Sequence, residues 1–368
     1  AVAPPAHVLR PLLQQPARAH RGSFDPGYLE RFSFSHADVG ALRAISESKG
    51  RQALYRQFPA LLESLKNMAV IQSTESSNRI EGVVAPPGRI RELVAEKTTP
   101  QNRSEREIAG YRDVLATIHA NWPDITLSTS VILQFHRDLY AYASDEGGRW
   151  KSVDNDIVEI LPDGSSSVRF KPVPARLASE AMGNLVARYR DAAATGEIDP
   201  VVLIAAFTLD FLCIHPFLDG NGRMARLLTL LLLYQEGYEV GRYVSLEKII
   251  EQSKETYYEA LLRSSQGWHE SRHDLSPWLD YFMGVLVASY KELEARVAAL
   301  STARGAKARL VEDCVRRLPG TFKVGDVVDA CPGIPRPTIN RALADLQRNG
   351  ELECSGRGRA AVWKKVAE

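Results

Sequence analysis

Cysteine is scarce in this chain. Its four residues, Cys213, Cys314, Cys331 and Cys354, lie far apart with no CxxC pair, which excludes a disulfide framework and a zinc pattern. An excess of one charge is missing too. Lys and Arg number 46 against 45 Asp and Glu, so any preference for nucleic acid or an anionic membrane must be local. The longest apolar run, around Leu227 to Tyr234, is far short of the ~20 residues of a membrane span. The stretch AVAPPAHVLRPLLQQPARAH lacks a charged segment followed by an apolar one, the pattern of a secretory signal. No repeat period or low-complexity segment occurs. A soluble, cytoplasmic protein is expected, and 368 residues with 45% hydrophobic content suit two or three domains with a sizeable core.

What is present is mostly helix. Residues 1–38, rich in Pro, Ala and Arg, predict an extended arm packed back on the body. From 39 to 300 apolar residues recur at three- and four-residue spacing. One stretch runs to Gly82, a natural helix terminator. SEREIAGYRDVLATIHANW and STSVILQFHRDLYAYA predict two amphipathic helices, the first capped by Ser104 with Glu107, the second by Ser128 or Thr129. DPVVLIAAFTLDFLCIHPF and RMARLLTLLLLYQEG are apolar nearly all round and belong at the centre of a bundle. The exception is 153–172, where β-branched segments flank PDGSS and predict a β-hairpin. After a linker at STARGAKAR, 301–368 has the order helix, helix, turn, helix, β-ribbon of a winged helix. The predicted fold is thus mainly α, a helical bundle with one hairpin, followed by a small α+β winged helix-turn-helix domain.

Between the two central helices stands HPFLDGNGRMAR, residues 215–226. Pro216 disfavours helix at His215, so the first helix ends there. Gly220 and Gly222 permit a tight turn with exposed N–H groups, and a helix starting near Asn221 offers an anion site at its N-terminus. Arg223 and Arg226, three apart, leave one face of that helix. Asp219 supplies a hard oxygen ligand suited to Mg²⁺ on phosphates, and His215 can act as a base near neutral pH. Each residue alone fits an ordinary connecting loop. Together they describe a phosphate cradle with a metal ligand and a base.

These twelve positions match throughout the motif H-x-F-x-[DE]-G-N-G-R-x-x-R, and the chain resembles the Fic family over about 75–295. The resemblance implies a Fic-type bundle over 39–300, with an inhibitory helix at about 65–82, a flap at 153–172 and a catalytic loop at 215–226. It implies a protein adenylyltransferase that uses ATP and Mg²⁺ to modify a Ser, Thr or Tyr hydroxyl of a target protein, and its own chain. His215 would be the base, Phe217 the loop anchor and Asp219 the metal ligand. Asn221 with Gly220 and Gly222 would form the anion hole, with Arg223 and Arg226 on the β- and γ-phosphates. Members that phosphorylate carry Lys at the position of Gly222, so the Gly favours adenylylation. Ser77-x-x-x-Glu81-Gly82 matches the family's inhibitory motif, in which Glu81 would pair with Arg226, and the same Glu can serve AMP removal. Tyr257 and Tyr258 are candidates for the adenine pocket or for plain core packing. The alternative is a winged-helix DNA-binding regulator with a Fic-like body as sensor, since 301–368 carries thirteen Lys or Arg against eight Asp or Glu. A homodimer is left open.

Overall fold

The computed structural model describes residues 22–56, 59–143, 147–160, 166–302, 306–331, 334–356 and 361–366. In chain order these form α1 (His36–Tyr55), α2 (Pro59–Ile80), α3 (Pro87–Ala95), α4 (Arg103–Asn121) and α5 (Thr129–Leu139), then a hairpin of β1 (Ile157–Ile160) and β2 (Ser166–Phe170). Next come α6 (Ala175–Thr195), α7 (Pro200–Ile214), α8 (Asn221–Gln235), α9 (Leu246–Gln252), α10 (Lys254–Ser265) and α11 (Ser276–Thr302). The C-terminal part contributes α12 (Ala306–Arg317), β3 (Thr321–Lys323), α13 (Val324–Ala330), α14 (Arg336–Arg348), β4 (Leu352–Ser355) and β5 (Val362–Lys365). The protein is mainly helical with two small antiparallel sheets, as the sequence predicts. Among the described residues no helix is long and apolar enough to cross a membrane.

α7 and α8 form the centre. All but one residue of α7 from Val201 to Ile214 and all but one of α8 before Gln235 are buried, which explains why neither shows a polar face. Thr208 and Thr229 sit inside this contact, their hydroxyls 2.9 Å apart and each within reach of a carbonyl, Ile204 for one and Ala225 for the other, so that two protons are shared among three contacts. Their hydroxyls are thereby satisfied without water. A second core is separate, with Val311, Phe322, Val327, Ile339, Leu343 and Trp363 packed together under a sheet of order β3-β5-β4.

Two local expectations change and one choice is settled. The long apolar-periodic stretch ending at Gly82 divides in two, with α2 beginning at Pro59, because proline is disfavoured inside a helix but suits its first turn. α4 is capped by Asn102, whose side chain accepts from Glu105 N–H, and not by Ser104 with Glu107; that frees Glu107 for the site. Of the two candidates for α5, Ser128 is the cap, accepting from Val131 N–H at 3.2 Å. The hairpin turn at 161–165 lies outside the described residues, as do residues 1–21 of the arm.

The arm from Gly22 onward does pack back, and α7 holds it. Asp210, wholly buried, accepts from Ser23 N–H at 2.8 Å, Ser23 Oγ at 2.6 Å and Trp268 Nε1 at 2.6 Å. Burial pushes its carboxyl up to about 6, against the pull of Ser23 and Trp268. Asp210→Ala removes the acceptor shared by three donors and should cost about 3 kcal/mol or more, whereas Asp210→Asn keeps a carbonyl oxygen there and should cost less. Urea melts of both variants check this, and an Ala variant as stable as its parent refutes it.

Candidate active site

The loop between α7 and α8 is held from within. His215 caps α7 in the left-handed conformation, φ 49° and ψ 61°, rather than the extended one its proline neighbour favours. For a residue with a Cβ this stores about 1–3 kcal/mol. Its ring Nδ1 lies 3.3 Å from the Leu212 carbonyl. A carbonyl only accepts, so Nδ1 carries the proton and Nε2 is the basic nitrogen. Burial, with help from Lys151 and against Leu212, Glu81 and Asp219, lowers the imidazole to about 4. At neutral pH His215 is an uncharged base.

Phe217 is fully buried and stacks face to face on His136 at 3.6 Å, with Trp150 beyond. His136 accepts at Nδ1 from Gly148 N–H, which leaves its Nε2 to donate to the Asp219 carbonyl at 3.1 Å. Asn221 closes the loop, accepting from Phe217 N–H at 2.9 Å and donating to the Phe217 carbonyl at 2.8 Å. Its side chain is therefore a staple, and what α8 offers an anion is the backbone N–H groups of its first turn. Gly220 precedes them at φ 82°, donating to Asp219 Oδ1 at 2.6 Å. The Asp219 side chain is 64% exposed. Against its partial burial, Arg223 and then Tyr140 and the Gly220 N–H hold its carboxyl below the usual range. Among the described residues no group of three or more His, Cys, Asp or Glu gathers around a metal position; Asp219 stands as a single carboxylate.

The two arginines part company. Arg223 is 1% exposed and donates to Glu107 at 2.6 Å and to the Tyr140 hydroxyl at 2.8 Å. It is committed to α4 and the end of α5. Arg226 turns to α2, donating from Nε to Ser77 Oγ, and from Nη2 to the Ser77 carbonyl and Glu81 Oε1, each at 2.8 Å. Burial would lower its pKa, but Glu81, with Tyr257 and Tyr111, more than offsets that and leaves it raised. Its Nη1 is buried with no hydrogen-bond partner among the described residues.

Gly222 acquires a steric role here. A Cβ at this position would collide with Glu81 Oε1 and come within 3.3 Å of Arg226 Nη1. The Glu81 carboxylate thus rests on the first turn of α8, where the sequence places an anion site. Glu81, His215 and Gly222 line one cavity of about 390 Å³, closed by Ile157, Arg169 and Phe170 of the hairpin and by Tyr258 of α10. Tyr257 is buried against Trp278 and Tyr281, so core packing accounts for most of its ring. Tyr258 faces the cavity with the Arg169 guanidinium 5.6 Å from its ring centroid.

Five residues that hold this site escaped the sequence reading: Glu107, His136, Tyr140, Lys151 and Asn155. Only Glu107 carried a signal, a buried-face position on α4, and it was absorbed by the capping pattern.

Residues 126–233 match the family model described as the Fic/DOC family, and the chain carries a Fic domain. It is similar to the Protein adenylyltransferase Fic of Nematostella vectensis, 25% identical over 221 residues, covering 58% of this chain and 46% of that one. It is also similar to the Protein adenylyltransferase Fic of Drosophila melanogaster, 27% identical over 232 residues, covering 62% and 42%. The chain thus spans less than half the length of these relatives. The fold is shared with a Fic family protein from Desulfovibrio desulfuricans G20, at TM-score 0.59 and 20% identity over 92% of this chain and 98% of that one. It is shared too with a Fic domain containing signaling protein from Bacteroides thetaiotaomicron VPI-5482, at TM-score 0.57 and 22% identity over 68% and 95%.

Proposed function

We propose that the protein transfers AMP from ATP to a Ser, Thr or Tyr hydroxyl of a target protein, and to itself, and that Glu81 restrains it. The observation that carries this is the convergence of a neutral His215 and the N-terminus of α8 on one cavity, whose lining carboxylate, Glu81, holds Arg226 at 2.8 Å. His215 Nε2 takes the proton of the target hydroxyl, whose oxygen forms a bond to Pα as the Pα–O bond to pyrophosphate breaks. The backbone N–H groups of α8 and the Arg226 guanidinium meet the phosphate charge, and placement does most of the rest. Arg223 acts one layer back, fixing Asp219 and Tyr140. Tyr258, with Leu261 and Leu262 behind it, offers the base an apolar wall. The hairpin edge beside the cavity suits an extended target segment.

Asp219 suits Mg²⁺, since that ion is ordinarily held by one or two carboxylates together with substrate phosphates. When bound it supplies charge neutralisation at the phosphates. Asp219→Ala should lower transfer by about 100-fold or more, and EDTA on the parent should do the same; undiminished transfer in EDTA contradicts the assignment. The whole reading is tested by incubating the protein with labelled ATP and lysate and identifying modified residues by mass spectrometry. No label on any protein, the chain itself included, with either the parent or Glu81→Gly, sinks it.

The two cores support a division between a Fic domain (39–300), on which the described part of the arm (1–38) packs through Phe24 and Leu29, and a winged helix (301–368). One observation favours DNA binding by the last as a second reading. Arg336, Asn340 and Arg341 are exposed on α14 while Ile339, Leu343 and Leu346 of the same helix are buried, as in a recognition helix. Thr338 is half-buried, and Arg357 and Arg359 of the wing lie outside the described residues. Gel retardation by the full chain, lost on changing Arg336 and Arg341 to Ala, discriminates.

A further inference from the structure

The segment between the end of α5 and the hairpin runs directly beneath the catalytic loop. Lys151, 4% exposed, donates its backbone N–H to the Pro216 carbonyl at 2.8 Å. Its Nζ donates to Asn155 Oδ1 at 2.8 Å and reaches the Ile214 carbonyl at 3.5 Å. Asn155 Nδ2 in turn donates to the Phe217 carbonyl at 3.2 Å. One short segment therefore grips the carbonyls immediately before and after His215, and the next one along. Its far side is fixed to α6, where Ala175 N–H donates to Asp154 at 2.6 Å. The gripped residue is the strained one, His215 at φ 49°.

We infer that Lys151 and Asn155 are positioning residues for His215: they hold its left-handed backbone by clamping the peptides on either side, and so aim the imidazole at the cavity. This rests on the AMP-transfer reading for its consequence in rate, but its structural claim can be tested without any transfer. Nothing in the clamp touches the nucleotide cavity, whose lining includes neither residue. A buried ammonium is an expensive way to secure a loop, so a role beyond packing is called for. Its charge supplies one, since a cation beside the imidazole opposes imidazolium formation. Lys151 from this segment acts in that direction, while Glu81 at the end of α2 and Asp219 in the loop act against it. Lys151 itself is lowered by burial to about 8, against Asp154, so it remains mostly charged at pH 7.

The test uses the full chain with ¹³C-labelled histidine, the His215 resonance being the one absent from His215→Ala. In the parent His215 should titrate near 4. Lys151→Met should move that midpoint upward, and Lys151→Arg should leave it near the parent value. In a Glu81→Gly background, Lys151→Met should also lower transfer by about tenfold or more with KM for ATP nearly unchanged, and Lys151→Arg should restore most of it. Should Lys151→Met fail to fold, the half-exposed Asn155→Ala decides the matter: it frees the Phe217 carbonyl and Lys151 Nζ, and should raise the His215 midpoint and lower transfer several-fold. A His215 midpoint identical to the parent in whichever of these variants folds overturns the inference. If neither the parent nor Glu81→Gly transfers any AMP, the AMP-transfer reading fails while the titration still judges the clamp.

Discussion

His215→Ala should abolish AMP transfer, lowering it by about 10³-fold or more, while ATP binds within about twofold of the parent. General bases contribute 10²–10⁴ in rate, and the reason to expect the upper part of that range is local. The imidazole is pinned by its own strained backbone and by the Leu212 carbonyl, and a water entering after truncation has no such hold. In the proposed reaction the phosphates are met by α8 and Arg226, neither of which depends on the His215 ring, so affinity should survive. A pH profile adds a second signature. Because the folded imidazole sits near 4, the basic form predominates from pH 5 upward, and the acid limb of the rate should fall near pH 4 and not near the ordinary 6.5. Parent-level transfer by His215→Ala removes the assignment; an acid limb near 6.5 would remove the argument from burial while leaving the residue in place.

The parts of this protein that could be seen in the sequence are those written in local pattern. α4 and α5 declare themselves through apolar period, α5 also through its Ser128 cap, α7 and α8 through near-continuous apolar runs, and the hairpin through β-branched residues around an Asp-Gly pair. The loop at 215–226 was legible because its polar and glycine residues lie within twelve consecutive positions. What escaped is set by partners far along the chain. Two arginines three apart share a helical face, yet Arg223 turns to Glu107 on α4 and Arg226 to Ser77 on α2, because each meets a different buried acceptor. Asn221 looks like an anion-hole residue until Phe217 is seen to occupy both ends of its amide. Lys151 reads as an ordinary surface lysine in GRWKSV, and only the fold buries it against the carbonyl ends of α7. The strained His215 could not be foreseen either, since a proline neighbour argues for extended backbone and says nothing of the clamp that overrides it.

Glu81→Gly should raise self-modification by about tenfold or more, equivalent to ~1.4 kcal/mol or more of recovered transition-state stabilisation. The carboxylate does two things at once. It takes one guanidinium nitrogen of Arg226 at 2.8 Å, in a charge-assisted bond of the stronger kind. It also rests on Gly222, over the first turn of α8, where the proposed reaction would place a phosphate oxygen. Removing it should therefore vacate the anion site and release Arg226 Nη2 together. The guanidinium should not wander when released, because Ser77 still holds Nε and the same Nη2 through its hydroxyl and carbonyl. The freed arginine thus stays aimed at the site it is to serve. Arg226→Ala in the Glu81→Gly background should cancel the gain, since the released group is then absent. Any AMP-removing activity should move the opposite way and disappear with Glu81. If Glu81→Gly is folded, binds ATP and yet labels itself no faster than the parent, the contact with Arg226 is a structural ion pair at the end of α2 and restrains nothing.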